Sequence, residues 1–591
     1  MPMERLLAST AIEESWGESE PVLFLGEWCR IYSRRHKWEA LDAVVAPYHW
    51  ADRTKVDGDR VYLWELHERL LVDLAARFNE IHGVEHGIQY WRILVGPWLG
   101  YFTQALFDRW EQIQSAISSF DVSETVVLRG LVDARCASDM DDYLGLGNSW
   151  QWNHHLSAEI LTGFTDVGVR SIDIGGSGPA LTPEDGDPAL TPLHRAAIWG
   201  SSVLRLFSKA SDVVVTNACL RSAKTEMLLQ WRLGQSPVLT PVEPVDRCLF
   251  NASKRKWVLD PGESRHAGFD ECLRSLIPRF IPVSYLEGYR SLVAQAEDLP
   301  WPSRPGAIFT SASHFFDDVF KAWCAERVER GSPLVVGQHG GHVGVGWSFN
   351  HDHQLAIADT FLSWGWSDPE EPKVRPLGMM KDPVLDENSE SPGSRVVLVM
   401  GNETPQVASL SSSALSSQFL DYVGAQIHFI EALDWRARDA LLVRLSRYDL
   451  DWCLGKRLAD RLPDVELDDG CRPVLDLLGE ARLYVATNNG TTFLESIFLD
   501  VPTVMFWDTD MWGLTHLAKP AFERLSRAGV FFDDPIRAAG HVSEVWEDAS
   551  SWWADPDVRE AVEAFSIQFC RRSPDIVGDV RQELVEVRGR P

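Results

Sequence analysis

The chain has 591 residues, 45% of them hydrophobic, more than a single core usually supports, so two or more domains are expected. Its 86 acidic and 56 basic residues give a formal net charge of -30. Such a field repels phosphate backbones and anionic lipid surfaces alike, which argues against nucleic-acid and membrane-surface partners and leaves any anionic ligand to a local pocket of donors.

The opening stretch, MPMERLLASTAIEESWGESE, has no basic segment leading into an apolar one, so no secretion signal is expected. Nine cysteines, among them Cys29, Cys136, Cys324 and Cys453, fall without CxxC or Cys/His metal spacing. This fits a reducing cytoplasm and argues against structural zinc. PVLFLGEWC at 21–29 predicts the first buried strand and TVVLRGL at 125–131 another. Between them, residues 63–78 and 98–117 carry apolar side chains at three and four spacing, the pattern of helices with one buried face. The apolar run at 92–102 is short and broken by Pro97, well under the ~20 residues a spanning helix needs, so no membrane span is expected.

Further strands are expected near Val169 and Asp212, at 307–313 and at 333–338, alternating with helices as in a mainly parallel sheet. Residues 367–395, rich in Pro, charge and small polar residues, read as a linker. The pattern restarts at RVVLVMGNETP, 395–405. The expected division is an N-terminal Rossmann-like domain with helical insertions at 1–370, a linker at 371–394, a second Rossmann-like domain at 395–549 and a helical tail at 550–591. In that tail Trp552, Trp553, Val558, Val562 and Phe565 fall at buried positions.

Two strand-to-loop junctions stand out: PLVVGQHGGHVGVG at 333–346 and LYVATNNGTTFLESIFLDVPTVMF at 483–506. Strand carboxyl ends are where open α/β sheets bind ligands, and glycines let backbone N–H groups approach a phosphate. The second junction opens a helix, so Thr491 and Thr492 would present hydroxyls and the positive helix end to an anion.

Two doubly wound domains with a cleft between them and a helical C-terminal tail form the architecture of the GT-B glycosyltransferases. FLGEWC at 24–29, YWRILVGPWL at 90–99, IFTSASHFFDDVFKAW at 308–323, GQHGGHVG at 337–344, SFNHDHQLAIADTFLSWGW at 348–366 and TNNGTTFLES at 487–496 together resemble a family of transferases encoded in bacterial surface-polysaccharide and O-antigen clusters, over most of the chain. More distantly, the QHG and TTFLE elements are similar to those of CDP-glycerol glycerophosphotransferases and of CMP-sugar-using transferases that add Kdo or related nonulosonic acids. The resemblance implies a cytoplasmic GT-B-like enzyme with a nucleotide-sugar donor, held mainly by the second domain, and a glycan or lipid-linked glycan acceptor.

Within that frame the TNNGTT turn, with Thr487, Asn488, Gly490, Thr491 and Thr492, is the candidate phosphate site, and Glu495 one turn on is placed to accept from a ribose. An ordinary N-cap and an exposed carboxylate are the plainer readings of Thr491 and Glu495. Gln338, Gly340 and Gly341 in the first junction, Asn402 in the polar loop that ends the 395–405 run, and Arg444 with Tyr448 are further donor-binding candidates, although a surface ion pair explains Arg444 almost as well. His339 follows a buried strand among glycines and is the candidate base or phosphate partner. Asp317 and Asp318 open a helix and Glu27 ends the first predicted strand; each is a candidate base or nucleophile, with capping the simpler account of the aspartates.

His342, His351 and His353 loosely suggest metal ligands but lack Cys partners or an HExxH frame, so no metal and no cofactor are expected. Most of the 25 tryptophans read as core, with Trp364 and Trp366 placed to line the cleft, while Arg92 and Arg109 would bind an acidic acceptor or pair with nearby carboxylates. The leading expectation is a glycosyltransferase using a nucleotide-sugar, with a CMP-linked nonulosonic acid as the candidate donor, on a surface glycan. The alternatives are a phospho-alditol transferase, a nucleotide-sugar epimerase, or a non-catalytic nucleotide-sugar-binding subunit.

Overall fold

Apolar strand runs become three all-parallel sheets in the computed structural model, which describes residues 3–17, 20–175, 209, 211–238, 242–260, 266–385 and 393–589. The first sheet contains β1 (Arg5–Ala8), β2 (Val22–Phe24), β3 (Ala43–Val45), β4 (Val122–Arg129) and β5 (Gly168–Asp173), in the order β3-β2-β1-β4-β5. The second contains β6 (Val214–Val215), β7 (Ile308–Thr310), β8 (Leu334–Gly337), β9 (Thr360–Ser363) and β10 (Val374–Pro376), in the order β10-β9-β8-β7-β6. The third contains β11 (Arg395–Val399), β12 (Leu441–Arg444), β13 (Glu466–Asp468), β14 (Ala481–Ala486), β15 (Thr503–Phe506) and β16 (Phe531–Phe532), in the order β13-β12-β11-β14-β15-β16. This last order is that of a complete doubly wound sheet, reversing between β11 and β14. Past Arg395 and Arg482 both strands there are continuous, buried apolar runs, at 396–399 and 483–486, as burial on two faces requires.

The region before residue 371 therefore carries two sheets where the sequence suggested one domain with helical insertions. Its strands are only two to eight residues long, and the long stretch from β6 to β7 carries no sheet signal of its own. The central strand β1 precedes the run at 21–29 that reads as the first strand. Part of the expected linker is β10, an edge strand ending in Pro376, where a missing N–H breaks no ladder. Residues 386–392 of that stretch lie outside the described residues.

Helices cover the sheets: α1 (Arg53–His82), α2 (Gly96–Ser119), α3 (Asp318–Glu329), α4 (Phe349–Ile357), α5 (Phe419–Ala432), α6 (Thr492–Phe498), α7 (Pro556–Phe569) and α8 (Ile576–Arg588). In α1 the Asp52 side chain accepts from Thr54 N–H, Gly83 ends the helix at φ 68°, and Leu63, Leu66, Leu70, Leu74 and Phe78 bury one stripe. Pro97 lies in the first turn of α2, where its missing N–H would be unpaired anyway. Trp50, Trp91, Trp98, Trp152, Trp323 and Trp364 are all fully buried, so most tryptophan mass is core.

The helical tail returns from the third sheet to the second. Trp364 O accepts from Arg571 N–H, and Arg571 O accepts from Met379 N–H, each at 2.9 Å. At the end of α8, Arg588 reaches Ser211 Oγ at 3.1 Å. Trp553, Val558, Val562 and Phe565 are buried in this tail and Trp552 is half-buried.

Candidate functional site

The crevice of a doubly wound sheet lies at the carboxyl ends of the strands that diverge where the order reverses. Here β11 and β14 pair Val399 with Ala486, so the chain leaves both strands side by side and brings Gly401 and Asn402 alongside Thr487 and Asn488. Tyr422 of α5 ties the two exits together. Its hydroxyl accepts the Gly401 N–H at 2.6 Å and meets Thr487 Oγ1 at 2.7 Å, while Thr487 donates to Val399 O. The Asn488 side chain accepts the Gly490 N–H at 2.9 Å, and Asn402 Nδ2 donates to Tyr448 O. Glu403 comes next in the loop; burial pushes its carboxyl up to about 8 against the opposing bond from Ser413.

Onto this crevice comes the loop after β8 of the second sheet. Gln338 is fully buried and its amide is fully used: Nε2 donates to Gly340 O and Val343 O, while Oε1 accepts from Trp364 N–H and Trp366 Nε1–H. The two tryptophans expected to line the cleft thus brace the loop, although Trp366 also borders a cavity. So braced, Gly341 donates its N–H to Thr491 Oγ1 at 3.0 Å, and a methyl group there would stand 2.6 Å from Gly490 O. Gly346 makes a second close approach: Asn489 Nδ2 binds Ser412 O and Oγ at 3.1 Å, and a methyl on Gly346 would overlap that Ser412 hydroxyl. Two junctions 150 residues apart in sequence are therefore in hydrogen-bond contact, and the gap expected between them is closed at this point.

His339 is half-buried at the head of this loop, with Gln354 Nε2 of α4 at 3.1 Å from its Nδ1. Burial, aided by the charge of Lys381, lowers its pKa below the ordinary histidine value. His342 lies 6.3 Å away between ring centroids, has Ser348 Oγ at 3.3 Å, and is pushed down to about 4 by burial. Both imidazoles are neutral at neutral pH. Thr491 leaves its own helix start without a side-chain cap: its backbone is already helical, at φ -76° and ψ -32°, and its hydroxyl accepts from Gly341. Thr492 begins α6 and is half-buried.

The remaining candidates are placed as follows. Glu495 is 6% exposed and paired with Lys381 at 2.9 Å. Arg444 donates to the Gly470 and Arg472 carbonyls, and Tyr448 is exposed. Asp317 caps α3 through Phe320 N–H, and burial pushes its carboxyl up to about 7. Asp318 is enclosed with Lys321 at 2.6 Å, Tyr285 Oη at 2.7 Å, Ser284 Oγ and Met140 N–H, a packing hub with all its contacts internal. Glu27 is chelated by Arg30 and lines a small recess with Thr10, Asp451 and Trp452 between the first and third sheets. Arg92 pairs with Glu68, and Arg109 with Asp108 and Asn153. Gly340 is buried within the loop.

Sequence reasoning singled out neither Lys381, Tyr422, Ser412, Glu403 nor Gln354. Only Gln354 lies in a string marked by the resemblance, and none of the five sits at a motif spacing that announces it. Among the described residues His86, Glu326 and Glu329 bring metal-type ligand atoms within 4.8 Å, and His86 there already bonds Glu329 at 2.6 Å. No helix among the described residues is long and apolar enough to cross a membrane.

A cavity of about 530 Å³ opens along the same glycine loop, lined by Gly344, Gly346, Trp347, Arg60, Asp352 and the segment 509–519. Arg60 stacks 4.8 Å over Trp347 and pairs with Asp352 at 3.2 Å. Aromatic surface beside mixed charges offers both a stacking face and hydroxyl-binding groups.

Among solved structures the chain is similar to Acinetobacter baumannii MurG, at 11% identity over 64% of this chain and 99% of that one, with a TM-score of 0.33. It is similar to the pneumococcal O-GlcNAc transferase GtfA in complex with UDP and GlcNAc, at 13% identity over 53% and 61%, TM-score 0.31. A third likeness is to WaaG, a glycosyltransferase involved in lipopolysaccharide biosynthesis, at 11% identity over 64% and 100%, TM-score 0.29. These likenesses are distant and carry no argument about chemistry. No curated protein matches the sequence. The sequence profile of the LIC12162 family of transferases matches residues 5–584, and the chain belongs to that family.

Proposed function

We propose that this transferase is a GT-B-type glycosyltransferase, acting in the cytoplasm, that moves a sugar from a nucleotide-sugar onto a surface-polysaccharide or O-antigen acceptor, either a glycan or a lipid-linked glycan. The observation that carries the reading is the contact between Gly341 and Thr491, which sets the glycine loop of one sheet on the switch-point crevice of another. Two strand ends that elsewhere bind ligands separately here share one site. The donor phosphate rests at the Asn488–Thr492 turn, where α6 begins without a side-chain cap, and His339 serves as its partner from the glycine loop. Since the formal net charge of -30 opposes any anion, these local donors must supply the attraction.

Asn402 and Tyr448, beside the β11 exit, flank the nucleoside. The acceptor occupies the cavity along Gly344, Gly346 and Trp347. A CMP-linked nonulosonic acid is the donor that the distant sequence resemblance favours. The test is thermal-shift screening against CMP-, CDP-, UDP- and GDP-linked sugars, with product analysis on the nucleotide that stabilises. A ligand bound only by the folded protein raises its apparent stability. One nucleotide class is expected to raise the transition and to yield a transferred sugar; stabilisation by none of them would refute the reading.

A further inference from the structure

Histidine with two chemically distinct ring nitrogens can take a proton or donate one, and the partner of one nitrogen decides what the other does. His339 has such a partner. Gln354 of α4 is fully buried, and its amide nitrogen lies 3.1 Å from His339 Nδ1 while its amide oxygen is buried with no partner among the described residues. In this orientation one amide N–H meets the ring nitrogen and the second N–H and the oxygen are unmet, whereas the reverse would leave both amide N–H groups unpaired, and a buried unpaired N–H is rarer than an under-used carbonyl. An imidazole nitrogen that accepts from an amide N–H carries no proton of its own.

We infer that Gln354 is the positioning residue of His339: its amide N–H holds Nδ1 unprotonated, so the ring presents a protonated Nε2 as a hydrogen-bond donor to an oxyanion and is not the base. The inference rests on the proposed reading of the site and narrows it, since a donor at this point suits the departing phosphate of a nucleotide-sugar. The groups that bear electrostatically on the ring are Lys381, His342, His314 and His351. None is acidic, so no carboxylate among them favours an imidazolium, and burial keeps the ring neutral. Gln354 acts through His339 and touches no reacting atom.

Long-range proton–nitrogen correlation spectra of the full chain, labelled with ¹⁵N-histidine and assigned by the signal missing from His339→Gln, read the tautomer directly. At neutral pH the wild-type His339 is expected to show a protonated Nε2 and a bare Nδ1. In Gln354→Glu the carboxylate accepts from Nδ1, so the proton should move there and the ring pKa should rise by about 1–3 units, as for a group facing an opposite charge. A wild-type ring protonated at Nδ1 overturns the inference. The spectra require no substrate, so a correct tautomer alongside a failed nucleotide screen would retain the positioning role and reject the donor assignment.

Discussion

Replacing Gly341 by Ala puts a methyl carbon 2.6 Å from Gly490 O and 2.7 Å from Thr491 Cα. Ordinary contact begins near 3.4 Å, and both obstacles are backbone, so the loops must part by most of an ångström. Overpacking of that kind costs about 1–3 kcal/mol. The parting also removes the Gly341 N–H to Thr491 Oγ1 bond, worth about 0.5–1.5 kcal/mol. Together the closed junction loses about 1.5–4.5 kcal/mol, which should speed amide exchange at residues 337–346 and 487–496 by about 10- to 2,000-fold where opening is a rapid pre-equilibrium to exchange. Gly340 supplies the control: a methyl there meets nothing nearer than 3.7 Å, so Gly340→Ala should stay within about 0.5 kcal/mol of wild type. Hydrogen-exchange mass spectrometry resolves the two segments. Equal exchange in Gly341→Ala and Gly340→Ala would refute the argument that the junction is closed by this contact.

Three further outcomes follow from the same physical account. Asp318→Asn removes the charge facing Lys321, where both side chains are at most 1% exposed, and should destabilise by about 3–5 kcal/mol in urea unfolding. Burial pushes His82, His154 and His342 down to about 4 and His314 and His351 to about 3. Their contribution is present above the ordinary value of 6.5 and is lost as pH falls towards those values, so the midpoint of thermal unfolding should drop steeply between pH 6.5 and about 4. Asp317 titrates the opposite way: burial pushes its carboxyl from 3.8 up to about 7, so its contribution is intact below 3.8 and lost as pH rises through 7. Asn also caps helices, and Asp317→Asn should therefore be more stable than wild type at pH 8, by on the order of 1–4 kcal/mol, with the gain vanishing near pH 4 in paired unfolding curves.

The parallel sheets and the two junctions are legible in the sequence because β8 and the segments 396–399 of β11 and 483–486 of β14 are apolar runs that end in polar loops carrying glycine, a pattern fixed by burial on both faces. Helices α1 and α2 follow from their apolar spacing, and Trp553, Val558, Val562 and Phe565 of the tail are buried as their periodicity requires. The four-residue β1 and the linker strand β10 are too short to stand out from their surroundings. What remains hidden is pairing across long separations. No local pattern brings Gly341 to Thr491 or Lys381 to Glu495, because these contacts come from the placing of one sheet against another, and none brings Gln354 to His339, 15 residues earlier, because that depends on how α4 folds back on the loop after β8. Composition cannot show that Trp364 and Trp366 use their N–H groups on Gln338, or that Arg444 satisfies carbonyls of its own domain.

The central claim is that a nucleotide phosphate sits between the turn at Thr491 and the imidazole of His339. Calorimetric titration of the stabilising nucleotide into wild type, Thr491→Val and His339→Ala tests it most directly. The account predicts that each substitution weakens binding by about tenfold or more, the loss of one hydrogen bond to a charged group at about 1.5–3 kcal/mol, while the unfolding transition of His339→Ala stays close to wild type. Undiminished affinity in both variants would contradict it.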